Sequence, residues 1–415
     1  MEKRVIERTD SRPREAASAA ASRGRVLLLG ALMGLTAFTI DVSLPAMPIM
    51  ASEFGASAAD AQGTLSGFLV GYAVGQIAVG VLSDRFGRRP VLILGTALFA
   101  LSSLLCAVST SLGMLVAMRA VEGAVASTGP VLSRAVARDL FEGAAVRVVL
   151  ARMTLVMTLA PVAAPVAGGV LIRVMSWRVI FVLLGIAGLI LLIWTVVGLP
   201  ETSARLRAGA GRRSLAADLA RLFADPFFLA MLAVGATLYS GLFAYLSGSS
   251  FVFIRGFGLD ELHYGALFAT CALDMCVGAA LNSRWLARGD PWRRLDLCFG
   301  LYAALAGAIG VALAFGPTGL AATAAMVAGM LFLNGISIPT LVAVTLEPVA
   351  RVAGSASAAV GLVQFAAGAG SGLLVNALFD MTAVPMLAVI AGSLGLSAAL
   401  YAVARRTVAG RAAAD

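Results

Sequence analysis

Apolar positions in this chain gather into long unbroken runs, and polar positions into short intervals between them. A hydrocarbon core about 30 Å thick needs roughly 20 apolar residues per helical crossing, and twelve runs meet that length. We place the first six spans near 25–47, 61–82, 91–110, 112–133, 148–172 and 177–198. The second six fall near 227–250, 263–283, 295–315, 320–343, 354–378 and 384–404. Between the sets runs LPETSARLRAGAGRRSLAADLARLFADP, residues 199–226, the longest polar interval after the N-terminal segment. The starts of spans 1 and 7 (25 and 227) and of spans 2 and 8 (61 and 263) share one offset, so the chain repeats itself.

The pattern predicts an all-α polytopic membrane protein, with twelve transmembrane helices in two pseudo-symmetric six-helix bundles. Its organisation reads as a tail over 1–24, an N-terminal bundle over 25–198, a central loop over 199–226, a C-terminal bundle over 227–404 and a second tail over 405–415. Two such bundles enclosing a midplane site are a common transporter architecture.

Composition agrees. The chain has 415 residues, 60% hydrophobic and 13% charged, against about 25% charged in soluble domains. Forty-five glycines suit membrane helices that approach closely. The net charge of +9 raises the question of nucleic acid, but the arginines fall in short clusters between apolar runs and form no stripe interleaved with aromatics. Of the 31 Lys+Arg, all but Arg119, Arg173, Arg178 and Arg255 fall on one side when the spans alternate from a cytoplasmic N-terminus. That asymmetry predicts both termini in the cytoplasm. Residues 1–24 carry too many acids for a transit peptide and read as a solvated, partly disordered tail.

The chemistry expected of enzymes is missing. His263 stands alone, so no His-based metal site or triad is expected, and neither HExxH nor GxxxxGK[ST] occurs. Cys106, Cys271, Cys276 and Cys298 lie in or beside apolar runs without metal spacing and read as small buried hydrophobes. No enzyme activity, metal or cofactor is expected.

Charges within spans are a different matter, because each costs about 2.5–3.5 kcal/mol at membrane depth. Asp41 lies 16 residues into span 1, about 24 Å from the inner face at 1.5 Å per residue. Arg119 is about 10 Å below the outer face in span 4, and Glu122 follows on the same helical side, about 5 Å deeper. All three occupy the outer half of the N-terminal bundle, close enough in depth to meet. Burial disfavours a charged carboxylate and a neighbouring arginine favours it, so an acid balanced between them can exchange a proton. The alternative is a permanent Arg119–Glu122 strut. Asp274, near the middle of span 8, is a candidate for a cationic substrate group, a second proton site, or a hydrogen bond to a neighbouring helix. Tyr239, Tyr245, Asn334 and Gln364 are polar residues of the second half that either line a substrate cavity or pack.

A last polar knot, GVLSDRFGRRP at 80–90, falls on the turn between spans 2 and 3. Gly80 is expected to allow close packing before the turn, and Gly87 the left-handed backbone of a tight reversal. Asp84 gains from nearby arginines or from a helix N-terminus.

GVLSDRFGRRPVL resembles the loop 2–3 signature of the major facilitator superfamily, in its drug:proton antiporter branch. The likeness extends to the bicyclomycin/chloramphenicol-resistance (Bcr/CflA) type through TIDVSLPAMP (39–48), residues 61–95, ARDLFEG (137–143), LAPVAAPVAGG (159–169), SWRVIF (176–181) and LPET (199–202). Less tightly, GLFAYLSGSSFVF (241–253), TLEPVARVAGSASA (345–358) and GLVQF (361–365) fit as well.

The resemblance implies a cytoplasmic gate of Gly80, Asp84, Arg85, Gly87, Arg88 and Arg89. Asp84 is its latch, and Arg88, Arg134 or Arg138 below span 4, or the start of span 11 near Gly354, is its partner. Arg119 and Gly123 match the span 4 motif RxxxG, whose arginine is tied to proton coupling. Glu122 stands where such exporters more often carry glutamine, which leaves open whether Asp41 or Glu122 takes the proton, with Asp41 favoured. Pro161, Pro165, Gly168 and Gly169 of span 5 resemble the antiporter motif, a kinked seal against leak. The expected function is proton-coupled export of small amphipathic compounds by alternating access, in the inner membrane of a bacterium, by a monomer driven by the proton gradient. A dedicated exporter of a metabolite such as an amino acid or siderophore is the second reading, and a receptor or membrane enzyme the third.

Overall fold

Every predicted run is helical. The computed structural model describes residues 3–141, 144–202, 215–286, 289–349 and 352–412. Among them are twelve helices long and apolar enough to cross a membrane, and no strand. The first six spans are Arg23–Glu53, Ala58–Phe86, Arg88–Ala107, Leu112–Leu140, Val148–Val174 and Arg178–Gly198. The second six are Pro226–Gly256, Glu261–Arg284, Pro291–Ala314, Leu320–Leu346, Ser355–Leu378 and Val384–Arg406. We call the side where span 1 begins and span 12 ends the terminal face and the opposite side the far face.

Polar residues at the run edges set the helix starts. Ser57 and Asp60 cap span 2 reciprocally, each side chain taking the other's backbone N–H. Asp225, Asp260 and Asp290 cap spans 7, 8 and 9, with Pro226 and Pro291 at first helical positions where their missing N–H costs nothing.

Five departures from expectation have local causes. The first helix begins at Lys3, where a partly disordered tail was expected, and its run EAASAAAS (15–22) is rich in alanine, the best helix former. Span 1 passes through a tight turn at Leu44–Ala46 and resumes over Met47–Glu53, the turn falling where Pro45 and Pro48 withhold backbone donors. Span 4 bends at Ser127 and runs on to Leu140, so Arg134 and Arg138 stand on the helix and not below it. Span 7 closes with a wide turn, Phe251–Gly256. Within the expected central loop, Leu215–Ala224 is a helix, while 203–214 lie outside the described residues.

The internal repeat is written in the packing. Spans 1 and 5, 2 and 4, and 3 and 6 pair in the first half, and spans 7 and 11, 8 and 10, and 9 and 12 pair in the second. The bundles meet where span 5 packs on span 8 and span 2 on span 11. Glycines make the equivalent crossings possible in both halves. A Cβ at Gly71 would stand 1.9 Å from the Ala120 carbonyl oxygen, and one at Gly335 would stand 2.1 Å from that of Met275.

Candidate functional site

The seam between the bundles gathers the polar residues of span 2 against spans 7 and 11. Ser247 Oγ lies 3.4 Å from Gln62 Oε1 and 3.3 Å from Asn376 Oδ1, within reach of either acceptor. Gln62 Nε2 and Ser66 Oγ beside them are buried without a hydrogen-bond partner among the described residues. Nearer the terminal face the seam becomes aromatic. The Tyr72 and Phe365 rings meet across the bundles at 4.3 Å, and Phe243 and Tyr239 flank Phe365 at 5.4 and 6.2 Å. Half-buried Arg134 lies within electrostatic reach of both the Tyr72 and the Tyr239 hydroxyl. Gly361 leaves the space that the Gln76 side chain fills, since a Cβ there would stand 2.5 Å from Gln76 Oε1.

Toward the far face lies Asp41, only 4% exposed. Its carboxyl accepts no hydrogen bond from a described residue, and the hydroxyls of Tyr245 and Tyr264, both in the opposite bundle, are its electrostatic neighbours. Tyr264 itself bonds Ser249 at 2.8 Å. Tyr245 is buried and stacks on Phe268, with ring centroids 5.2 Å apart.

Asp41 does not join Arg119 and Glu122. Those two pair inside the N-terminal bundle, Arg119 Nη1 donating to Glu122 Oε2 at 2.6 Å and Ser103 Oγ to Glu122 Oε1 at 2.5 Å, while Arg119 Nη2 is buried without a hydrogen-bond partner among the described residues. The guanidinium also lies over the Phe68 ring, 4.4 Å from its centroid. The three charges expected to meet thus separate into a strut and a solitary acid, because Ser103 of span 3 supplies the partner that Asp41 was expected to be.

The second-half residues divide as well. Tyr239 is at the seam, whereas Gln364 turns its amide toward Gly235 of span 7, 3.2 Å from where a Cβ would be. Asn334 faces span 9, accepting from Tyr302 Oη at 2.7 Å, so it ties two helices of one bundle. Asp274 is half-buried. Gly265, which meets Pro165 of span 5, and Cys276, which meets Thr158, lie about half a turn round the helix from it. Asp274 therefore faces away from the opposing bundle and its seam.

At the terminal face the knot ties loop 2–3 to the ends of spans 4 and 6. Arg88 reaches Asp84 at 3.0 Å, Asp139 at 3.5 Å and Ser83 Oγ at 2.6 Å. The Glu201 carboxylate caps span 3, its two oxygens each accepting a backbone N–H, from Arg88 and Arg89, at 3.1 Å. Arg89 donates to the Val196 carbonyl at 2.8 Å, and Arg85 lies over Phe86. Gly87 has φ 100°, the reversal expected of it. Gly80 packs nothing, since a Cβ there would meet open space. It is near half-exposed Ile77 and Val81 on the helix. The approach to Gly354 runs through residues 350–351, outside the described residues.

At the far face the bundles are clasped. Arg173 donates to Asp260 at 2.7 Å, and Arg255 donates to the Pro48 carbonyl at 2.6 Å and to Ser52 Oγ. The His263 backbone N–H, then its ring, and the Arg173 charge hold the Asp260 carboxyl down at about 2. Below the clasp, the span 5 motif packs Gly169 on span 8 across the seam and Gly168 on span 1 of its own bundle. A Cβ at Gly169 would stand 2.6 Å from the Glu261 carbonyl oxygen, and one at Gly168 would stand 2.2 Å from that of Val42. Pro161 and Pro165 both lie within a helix that continues through them.

Comparison with known proteins assigns this architecture. Residues 27–373 match the Major Facilitator Superfamily. The chain belongs to that superfamily. It is 30% identical to the bicyclomycin resistance protein homolog of Haemophilus influenzae, over 91% of this chain and 94% of that one. It is 28% identical to multidrug resistance protein D of Escherichia coli, over 85% and 87%. The crystal structure of a bacterial homolog of the human lysosomal transporter Spinster, inward-facing and occupied, shares the fold with a TM-score of 0.68 at 16% identity, over 92% and 96% of the two chains. This superfamily member is a multi-pass membrane transporter, and its likeness to the bicyclomycin-resistance type, read from the motifs, holds along nearly the whole chain.

Sequence reasoning missed the seam residues Gln62, Ser66 and Gln76, although with Tyr72 they recur at helical spacing along one side of span 2. It also missed their partners Ser247 and Asn376. Arg134 was considered only as a gate residue.

Proposed function

We propose that this transporter exports small amphipathic compounds in exchange for protons, with Asp41 as the group that carries the proton. The observation that supports this most is the isolation of Asp41. It is a buried carboxyl at the seam, with no hydrogen-bond donor among the described residues and two tyrosines of the opposite bundle beside it. An ionised carboxylate in such surroundings is costly, and water admitted when the bundles part lowers that cost. The two states of the carrier therefore hold the proton with different affinity, which is what coupling requires. Glu122, whose carboxylate is already held by Arg119 and Ser103, lacks this sensitivity in our reading.

In this reading the termini are cytoplasmic, as the arginine asymmetry indicates, and the membrane is the plasma membrane of a bacterium. The far-face clasp and the glycine-packed crossing of spans 5 and 8 close the outer side. The Asp84–Arg88–Asp139 cluster and Glu201 fix the inner ends, about which the bundles rock. Substrate enters the seam from the cytoplasmic side, and a proton arriving at Asp41 from outside resets the carrier. The relatives' resistance names agree with drug-like substrates.

Energised inverted vesicles test this with amphipathic fluorescent dyes, one set cationic and one anionic, with and without a protonophore. Uptake that the protonophore abolishes is expected, and Asp41→Asn is expected to remove it while the protein stays in the membrane. Uptake at the wild-type rate in Asp41→Asn would take Asp41 out of the mechanism.

A further inference from the structure

We propose that the aromatic half of the seam is built for a carboxylate on an apolar aromatic body, with its anionic end on Arg134 and its rings among Tyr72, Tyr239, Phe243 and Phe365. The inference rests on the exporter reading and adds the substrate class.

Arg134 is the anomaly that carries it. It lies six residues before the end of span 4 at Leu140, about 9 Å along the helix at 1.5 Å per residue, and is half-buried. No ion pair or hydrogen bond links its side chain to any described residue. Of the two other arginines within this span, Arg119 is buried with Glu122 at 2.6 Å and Arg138 is exposed. The acid nearest in sequence, Asp139, is occupied by Arg88 and Thr202. A half-buried guanidinium without an anion among the described residues keeps its fork of donors free, so its position suits a partner that arrives from elsewhere.

Its surroundings describe that partner. The tyrosine hydroxyls of Tyr72 and Tyr239 lie near the guanidinium, and the ring pair of Tyr72 and Phe365 joins both bundles at 4.3 Å. A planar fork of donors matches a carboxylate's two oxygens, and clustered rings accept an aromatic body edge-on or offset. A cation in the same place would meet Arg134 as a like charge. Since the ring pair spans the seam, a body inserted there parts Tyr72 from Phe365, which links occupancy to the movement of the bundles.

The test is binding to the purified full chain in detergent, titrating N-dansyl-phenylalanine and its methyl ester and reading dansyl emission. The acid is expected to bind about tenfold or more tightly than the ester, the scale of one charge-assisted hydrogen bond. Arg134→Gln should cost the acid that preference and leave the ester within about twofold, and Arg134→Lys should keep part of it, having charge without the fork. A thermal melt confirms that the Gln variant is folded; if it is not, the wild-type acid-to-ester ratio and the Lys variant decide. An ester that binds wild type as well as the acid overturns the carboxylate proposal and leaves proton-coupled export standing. Acid binding without protonophore-sensitive dye uptake does the reverse, and no binding of either probe removes the proposed site.

Discussion

At the scale of single residues, surroundings separate acids that the sequence presents alike. Asp41 and Glu122 are both buried within membrane spans, yet Glu122 is held by Arg119 and Ser103 while Asp41 has no hydrogen-bond partner among the described residues. Removing one partner of a buried pair strands the other, at a cost of about 3–5 kcal/mol. Arg119→Gln should therefore lower the thermal unfolding midpoint strongly. Glu122→Gln, which keeps an oxygen for Arg119 and an amide for Ser103, should lower it far less and retain protonophore-sensitive export. Equal loss of export in Glu122→Gln and Asp41→Asn would show the strut to be part of the proton path. Counting along a helix gave an expected depth for each of the three residues. It did not place them in azimuth, since that depends on where span 3 brings Ser103.

Among elements, the span pairings rest on glycines whose neighbours are backbone. A methyl at Gly71 would collide with the Ala120 carbonyl, which no side-chain movement relieves, whereas one at Gly80 meets open space. Overpacking of this kind costs about 1–3 kcal/mol or more. Gly71→Ala should thus reduce both the yield of folded protein and its thermal midpoint, and Gly80→Ala should leave both unchanged. A Gly80→Ala variant as unstable as Gly71→Ala would contradict the packing described. Twelve spans were legible because hydrophobic length is a one-dimensional signal. The turn at Leu44–Ala46 and the extension of span 4 to Leu140 were less so. The prolines near 45 signal a break but not that the helix resumes, and the charges at Arg134 and Arg138 read as a loop to any count of apolar residues.

For the whole molecule, the repeat in sequence became a repeat in contacts, with matching span pairs in each half and a symmetric seam of spans 5 with 8 and 2 with 11. The seam's occupants were the least legible part, because which side of each span faces the other bundle is settled only by packing. In the exchange proposed, Asp41 and Arg134 lie toward opposite ends of the seam, and proton and substrate compete for one set of bundle positions while the proton gradient sets the direction. By linkage, a substrate that favours the deprotonated carrier must expel a proton when it binds. Proton release is therefore the most direct measure, read with a pH indicator as a transported dye is added to the purified, weakly buffered transporter. The account predicts release of about one proton per molecule, retained in Glu122→Gln and absent in Asp41→Asn. Release from the Asp41→Asn variant equal to wild type would contradict it.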